Sequence, residues 1–210
     1  MYVKSAELDL AHCYKLLTGV VIPRPIAWIT SVSDDGVVNL APFSQFTILS
    51  YSPPIIGVSI GHKGRTPKDT LRNILARRTF VVNIPSYAMM EQVHASSAEL
   101  GADVSEAEAL SVSMRPTGID GVPGVAQAQV RLECRLYRTE TYGNDQSVLV
   151  SGVVDAFDIA DDAVDNFRVD ARTIDPLARL GGPNYARMAE YSTLAPVGAT
   201  PAEVIDSRRE

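Results

Sequence analysis

The fold class this sequence predicts is an antiparallel β-barrel with a few inserted helices. Three observations lead there. Between residues 127 and 136, Ala128, Val130, Leu132, Cys134 and Leu136 alternate with Gln127, Gln129, Arg131, Glu133 and Arg135. That strict period of two marks a strand with one core face and one wet face. Most apolar runs are joined by short turns rather than by crossover helices. Helical patterns are few and lie between strands, which argues against a doubly wound parallel sheet.

Taken in order, Asp9 is placed to cap a helix to about Leu17, with Leu10, Cys13, Tyr14 and Leu17 at helical spacing. Pro23 and Pro25 hold Arg24 extended, because a residue before proline avoids the helical region. Ile26 to Val32 reads as a strand covered on both faces, and Asp34-Asp35-Gly36 as a hairpin turn. Val37 to Leu40, Phe43 to Tyr51 and Ile55 to Ile60 read as three more strands, with Pro53-Pro54 ending the second of these. Thr66-Pro67-Lys68-Asp69 has the form of a helix start, with Thr66 as cap, Pro67 at the first position and Leu71, Ile74 and Leu75 as the buried stripe. Thr79 to Ile84 is a strand, and Ser86 stands before a helix from Tyr87 to about Ala95. Residues 96–125 have weak periodicity and several Gly and Pro, so they read as short helical turns and a long loop. The strand from Gln127 turns at Tyr142-Gly143-Asn144-Asp145 and pairs with Val148 to Ile159. The expectation is one domain over residues 1–192 and a tail over 193–210.

Composition excludes several functions. A chain of 210 residues with 46% apolar and 21% charged residues can bury one sizeable core. A formal net charge of −6 argues against a nucleic-acid partner. No apolar run has the length of a membrane span, and Cys13 and Cys134 read as reduced thiols, so the expected location is cytoplasmic. His12, His62 and His94 show no metal-ligand spacing.

Chemistry concentrates between Arg24 and Arg72, where strands are dense in small hydroxyl residues. From Gly61 to Arg72 the chain holds Lys63, Arg65, Lys68 and Arg72 against one acid, Asp69. Basic residues at a helix N-terminus oppose the dipole, so an anion such as a phosphate would account for them; a solvated helix start is the plainer alternative. The spacing is not that of a Walker loop, and no GxGxxG is present. Trp28, Phe43 and Phe46 read either as core residues or as neighbours of a planar ring, and Ser44 and Thr47 are equally open. No nucleophile stands beside a base, which suits chemistry carried by a cofactor.

The ordered series Pro23-Arg-Pro-Ile-Ala-Trp-Ile-Thr-Ser, Asn39-Leu-Ala-Pro-Phe-Ser-Gln-Phe, Pro53-Pro, Lys68-Asp-Thr-Leu-Arg-Asn-Ile, Phe80-Val-Val-Asn-Ile and Arg179-Leu-Gly-Gly-Pro-Asn-Tyr resembles the flavin reductase-like family of FMN-binding split barrels. The resemblance implies a six-stranded antiparallel Greek-key split barrel, a homodimer and one FMN per protomer near the dimer interface. It implies that Trp28, Ile29, Thr30 and Ser31 border the isoalloxazine ring, partly through main-chain groups. Asn39, Phe43, Ser44 and Thr47 would line the ring and ribityl chain. Ser59, His62, Lys63, Lys68 and Thr70 would face the phosphate, and Arg179 and Tyr185 would close the site. The implied activity is an FMN-dependent oxidoreductase, an NAD(P)H:flavin reductase supplying an oxygenase or another acceptor. An FMN-binding electron carrier without its own NAD(P)H activity is the alternative, and a flavin-free scaffold a third.

Overall fold

Seven long strands form one antiparallel sheet: β1 (Ala27–Val32), β2 (Val38–Phe43), β3 (Phe46–Tyr51), β4 (Pro54–Ile60), β5 (Thr79–Ile84), β6 (Val130–Tyr142) and β7 (Ser147–Ile159). Their order across the sheet is β2-β1-β5-β6-β7-β4-β3. The computed structural model describes residues 1–64, 66–188 and 190–194, and the side chain of Lys63 also lies outside that description. Most of the expected 193–210 tail falls outside it too.

The resemblance implies six strands in a split barrel, and that strand number is corrected. The sheet has seven strands, and its edges, β2 and β3, are not hydrogen-bonded to each other. Ser44-Gln45 separates β2 from β3, which lie at opposite edges of the sheet. Phe43 and Phe46 are three residue steps apart, about 11 Å at most, so the two edges come together at this corner. The sheet therefore curls around a core that includes Ile29, Phe43, Val58, Ile74, Phe80, Val82 and Cys134, and stays split where β2 passes into β3. Burial pushes the Cys134 thiol pKa far up, with the Asp155 and Glu133 charges adding to the rise, so it stays a neutral core group.

Among the described residues five α-helices decorate the sheet: α1 (Leu10–Val20), α2 (Asp69–Arg77), α3 (Met90–Ala95), α4 (Glu106–Ala109) and α5 (Ala171–Ile174). Asp9 caps α1 as its chemistry suggests, accepting the His12 N–H at 2.8 Å. Yet α1 runs to Val20 and has no buried residue; Leu10, Tyr14 and Leu17 are exposed. The start of α2 lies later than expected. Thr66-Pro67 pairs instead with His62-Lys63 as a small hairpin, and Lys68 takes the cap position without a side-chain bond. Leu71 and Ile74 are buried, but the third residue of the expected stripe, Leu75, is exposed; Thr70 and Asn73 turn inward in its place.

The alternation in β6 locates the strand but misreads its second face. Arg131 and Glu133 are as buried as their apolar neighbours. A two-stranded ribbon, Met114–Arg115 with Gly124–Val125, belongs to the loop that covers this face. Arg131 donates to the carbonyls of Val125 and Ala128 and pairs with Asp158 at 2.6 Å, while Glu133 accepts the Gly118 N–H at 2.8 Å. Arg131 holds the Asp158 pKa below the ordinary carboxylate value. A second core under this loop and α3 buries Trp28, Val93, Val112 and Leu177.

Gly152 of β7 fits against the first core so closely that a Cβ there would stand 2.6 Å from Phe80 Cζ. Phe80 is fully buried and cannot swing into solvent. Gly152→Ala is expected to cost about 1–3 kcal/mol through overpacking. Urea denaturation measures this; a loss below about 0.5 kcal/mol would show that the core yields freely.

Candidate functional site

At the split corner, Pro42 and Phe43 of β2, the Ser44-Gln45 link and Lys68 line a cleft with two lobes. The first lobe has a volume of about 340 Å³ and adds Arg24, Ser59, Gly61, Ser147 and Arg179. The second, about 110 Å³, adds Asn39, Thr70, residues 96–100 and Glu106. Pro42, Phe43 and Lys68 line both, so the lobes are neighbours there.

Cations dominate the first lobe. Arg24-Pro25 pairs with Ala178-Arg179, which pairs in turn with Tyr185-Ala186. In this register Arg24 and Arg179 are direct cross-strand partners, an arrangement of like charges that is unfavourable without compensation. Arg24 is 8% exposed and donates to carbonyls of Thr18 (2.6 Å), Val21 (2.7 Å) and Leu180 (3.0 Å), and to Ser44 Oγ (3.3 Å). Arg179 lies over the Tyr185 ring at 4.7 Å and donates to its hydroxyl at 2.6 Å. Lys68 Nζ stands 5.8 Å from the Phe43 ring centroid. Among the described residues, none of the three cations has a carboxylate within ion-pair distance. Asp145, the carboxylate in this lobe, accepts from Ser147 Oγ at 2.8 Å. The lobe suits an anion with polar hydroxyl groups.

The expected site residues divide clearly. Phe43, Ser44, Ser59, Lys68 and Arg179 meet in the first lobe, and Asn39 and Thr70 in the second. Asn39 Nδ2 donates to Thr70 Oγ1 at 2.8 Å and to Ser31 Oγ at 3.3 Å. Trp28, Ile29, Thr30 and Ser31 are fully buried in the wall. The backbones of Trp28, Ile29 and Thr30 are paired on both sides, with β2 and β5, so these groups are not open to a ring. Trp28 Nε1 donates to Ser96 Oγ at 2.9 Å, and Thr30 Oγ1 accepts from Asn83 at 2.9 Å. Thr47 is exposed on β3, away from the lining of either lobe. Tyr185 bridges Arg179 to His94 Nδ1, 3.1 Å from its hydroxyl. His62, which follows Gly61 of the first lobe in sequence, has a buried Nδ1 without a partner among the described residues. The side chain of Lys63, and all of Arg65, lie outside the described residues.

Sequence reasoning missed the side chain of Arg24 and the carboxyl of Glu106. The Pro23-Arg24-Pro25 bracket was a usable signal for the first. Glu106 had none, because its partner Leu40 is 66 positions away. Glu106 Oε2 accepts the Leu40 N–H at 3.0 Å. Burial is the largest influence on its carboxyl and raises it above 4.5; bonds from Leu40 and its own N–H oppose this, and the Asp69 charge adds to it. A raised folded-state pKa means the unfolded chain releases the proton first. Folded stability therefore falls as pH climbs from the ordinary carboxyl value through the raised one. Glu106→Gln is expected to raise Tm at about pH 8 and to lose that gain at about pH 4. Thermal melts at both values check this, and equal gains would contradict it. Among the described residues no group of His, Cys, Asp and Glu could hold a metal ion, and no helix is long and apolar enough to cross a membrane.

Residues 19–177 match the model of the flavin reductase like domain. The chain belongs to that family. The Bacillus subtilis protein YwrF is 37% identical over 201 residues, covering 92% of this chain and 98% of that protein. Nitrilotriacetate monooxygenase component B from Bacillus cereus shares the fold at a TM-score of 0.88 and 36% identity, over 92% of this chain and 98% of its own. The 2-nitrobenzoate 2-nitroreductase NbaA of Pseudomonas fluorescens does so at 0.86 and 32%, over 96% and 99%. Membership places the chain among flavin-related oxidoreductases.

Proposed function

We propose that the chain binds FMN in the two-lobed cleft and works as an NAD(P)H:flavin oxidoreductase that supplies reduced flavin or electrons to an oxygenase or another acceptor. The observation that carries this reading is the convergence of Arg24, Lys68 and Arg179 without a carboxylate partner among the described residues. An FMN phosphate would compensate them, and the orphaned His62 Nδ1 beside Gly61 adds a further polar atom suited to it. Ser44 and Ser59 would hold the ribityl hydroxyls, and Phe43 would flank the ring. When bound, FMN supplies the hydride and electron transfer; the chain supplies orientation, charge and exclusion of water. The similar monooxygenase component supports an oxygenase as the partner.

The visible spectrum of the purified protein, with FMN added and then NADH or NADPH under anaerobic conditions, tests this. Bound flavin that bleaches supports the proposal. Flavin that binds and stays oxidised with both nucleotides points to an electron carrier, and no uptake overturns the flavin reading.

We also propose that the protein is a homodimer. Leu10, Tyr14 and Leu17 on α1 and Ile48, Leu49 and Tyr51 on edge strand β3 are exposed apolar side chains, an unusual density for a surface left in water. Light scattering should give twice the 22.7 kDa chain mass, and the single mass would reject the dimer.

A further inference from the structure

The second lobe differs in sign from the first. Beyond Lys68, its ionisable lining is Asp69, Glu99 and Glu106. Asp69 pairs with Arg72 at 2.6 Å. Glu106 is 7% exposed and has no cation within ion-pair distance among the described residues. Two backbone N–H groups, those of Leu40 and of Glu106 itself, engage its carboxyl. A carboxylate offers about four acceptor sites, so roughly half of its capacity is left for a group in the lobe. Phe43, Pro42 and Leu100 give the same lobe apolar flanks.

We propose that Glu106 determines specificity: the second lobe takes a neutral ring carrying a hydrogen-bond donor, such as a carboxamide, and rejects the same ring carrying a carboxylate. An amide N–H satisfies the free acceptor capacity of Glu106. A carboxylate brings a like charge into a confined site and offers Glu106 no donor, a cost large enough to discriminate isosteres. Lys68 does not cancel this once a phosphate in the first lobe engages it. The inference rests on the flavin reading in two ways: the ring lies beside the cofactor, and the cofactor phosphate engages Lys68.

Benzamide and benzoate are the probes, titrated against FMN-loaded protein at about pH 8, where Glu106 carries its charge, and followed by ligand-observed NMR. Wild-type protein is expected to bind benzamide at least about tenfold more tightly than benzoate. Glu106→Gln keeps an acceptor for Leu40 but removes the charge, and should bring the two affinities within about threefold, mainly by tightening benzoate. A wild-type ratio below about threefold, an unchanged ratio in the variant, or no binding of either probe overturns the proposal. If the variant does not fold, the wild-type ratio decides alone. Absence of FMN uptake overturns the flavin reading separately; the ratio is then measured with the Lys68→Ala variant, in which no cation of the first lobe offsets Glu106.

Discussion

Replacing Lys68 with Ala is expected to raise the Kd for FMN by about 10- to 100-fold while leaving the free protein as stable as before. The affinity loss follows from position. Lys68 is the cation at the junction of both lobes, and among the described residues no carboxylate pairs with it. A hydrogen bond to a charged group contributes about 1.5–3 kcal/mol, which gives the fold-change. The stability half follows from the helix. Lys68 occupies the cap of α2 and makes no side-chain cap bond there. A positive charge at that end opposes the helix dipole, so its removal should hold Tm constant or raise it slightly. Lys68→Arg keeps the charge and should recover most of the affinity. The salt dependence of Kd should also flatten in the Ala variant, because one screened charge contact is gone. Fluorescence titration of FMN at two ionic strengths reads all of this. An unchanged Kd would remove Lys68 from the site, and a loss of affinity matched by a loss of Tm would make its role structural.

What the sequence disclosed follows from the range of the interactions involved. Turns and strands rest on neighbours, so Asp34-Asp35-Gly36 and the β6–β7 hairpin were readable, and Gly36 does take a φ of 85°. The basic run around Lys68 stood out because its charges lie within ten positions of one another. The rest is non-local. Nothing in the period of β6 tells that a loop covers its second face, and burial of Arg131 depends on carbonyls of Val125 and Ala128 placed by that loop. Trp28, Ile29, Thr30 and Ser31 were assigned to a ring by resemblance. Strand pairing on both sides of the first three encloses that segment, and pairing is a property of the sheet rather than of the segment. Thr66 and Pro67 obey every local rule for a helix start, yet a short hairpin with His62-Lys63 takes them first.

Arg24→Ala is expected to cost about 3–5 kcal/mol, the largest stability effect predicted for any single residue at the site. One guanidinium holds three separate pieces of chain. Its bonds to Thr18 and Val21 close the end of α1, its bond to Leu180 ties down the turn after Arg179, and its contact with Ser44 fixes the corner between β2 and β3. α1 buries none of its own residues, so these bonds carry much of its attachment. Truncation leaves several carbonyls without a donor at about 1–3 kcal/mol each where water cannot reach them, and rehydration at the helix end keeps the total near the lower bound. Arg24→Lys should recover about a third at most, because a single ammonium cannot reproduce the planar fork that reaches all three carbonyls. Local and global effects can be separated. Hydrogen exchange in α1 should accelerate well beyond the change in global stability, since the helix loses its tether before the sheet loses its core. Urea denaturation gives the global loss. A value below about 1 kcal/mol, with α1 exchange unchanged, would show that the arginine is held for its charge toward the ligand and not for the chain it ties together.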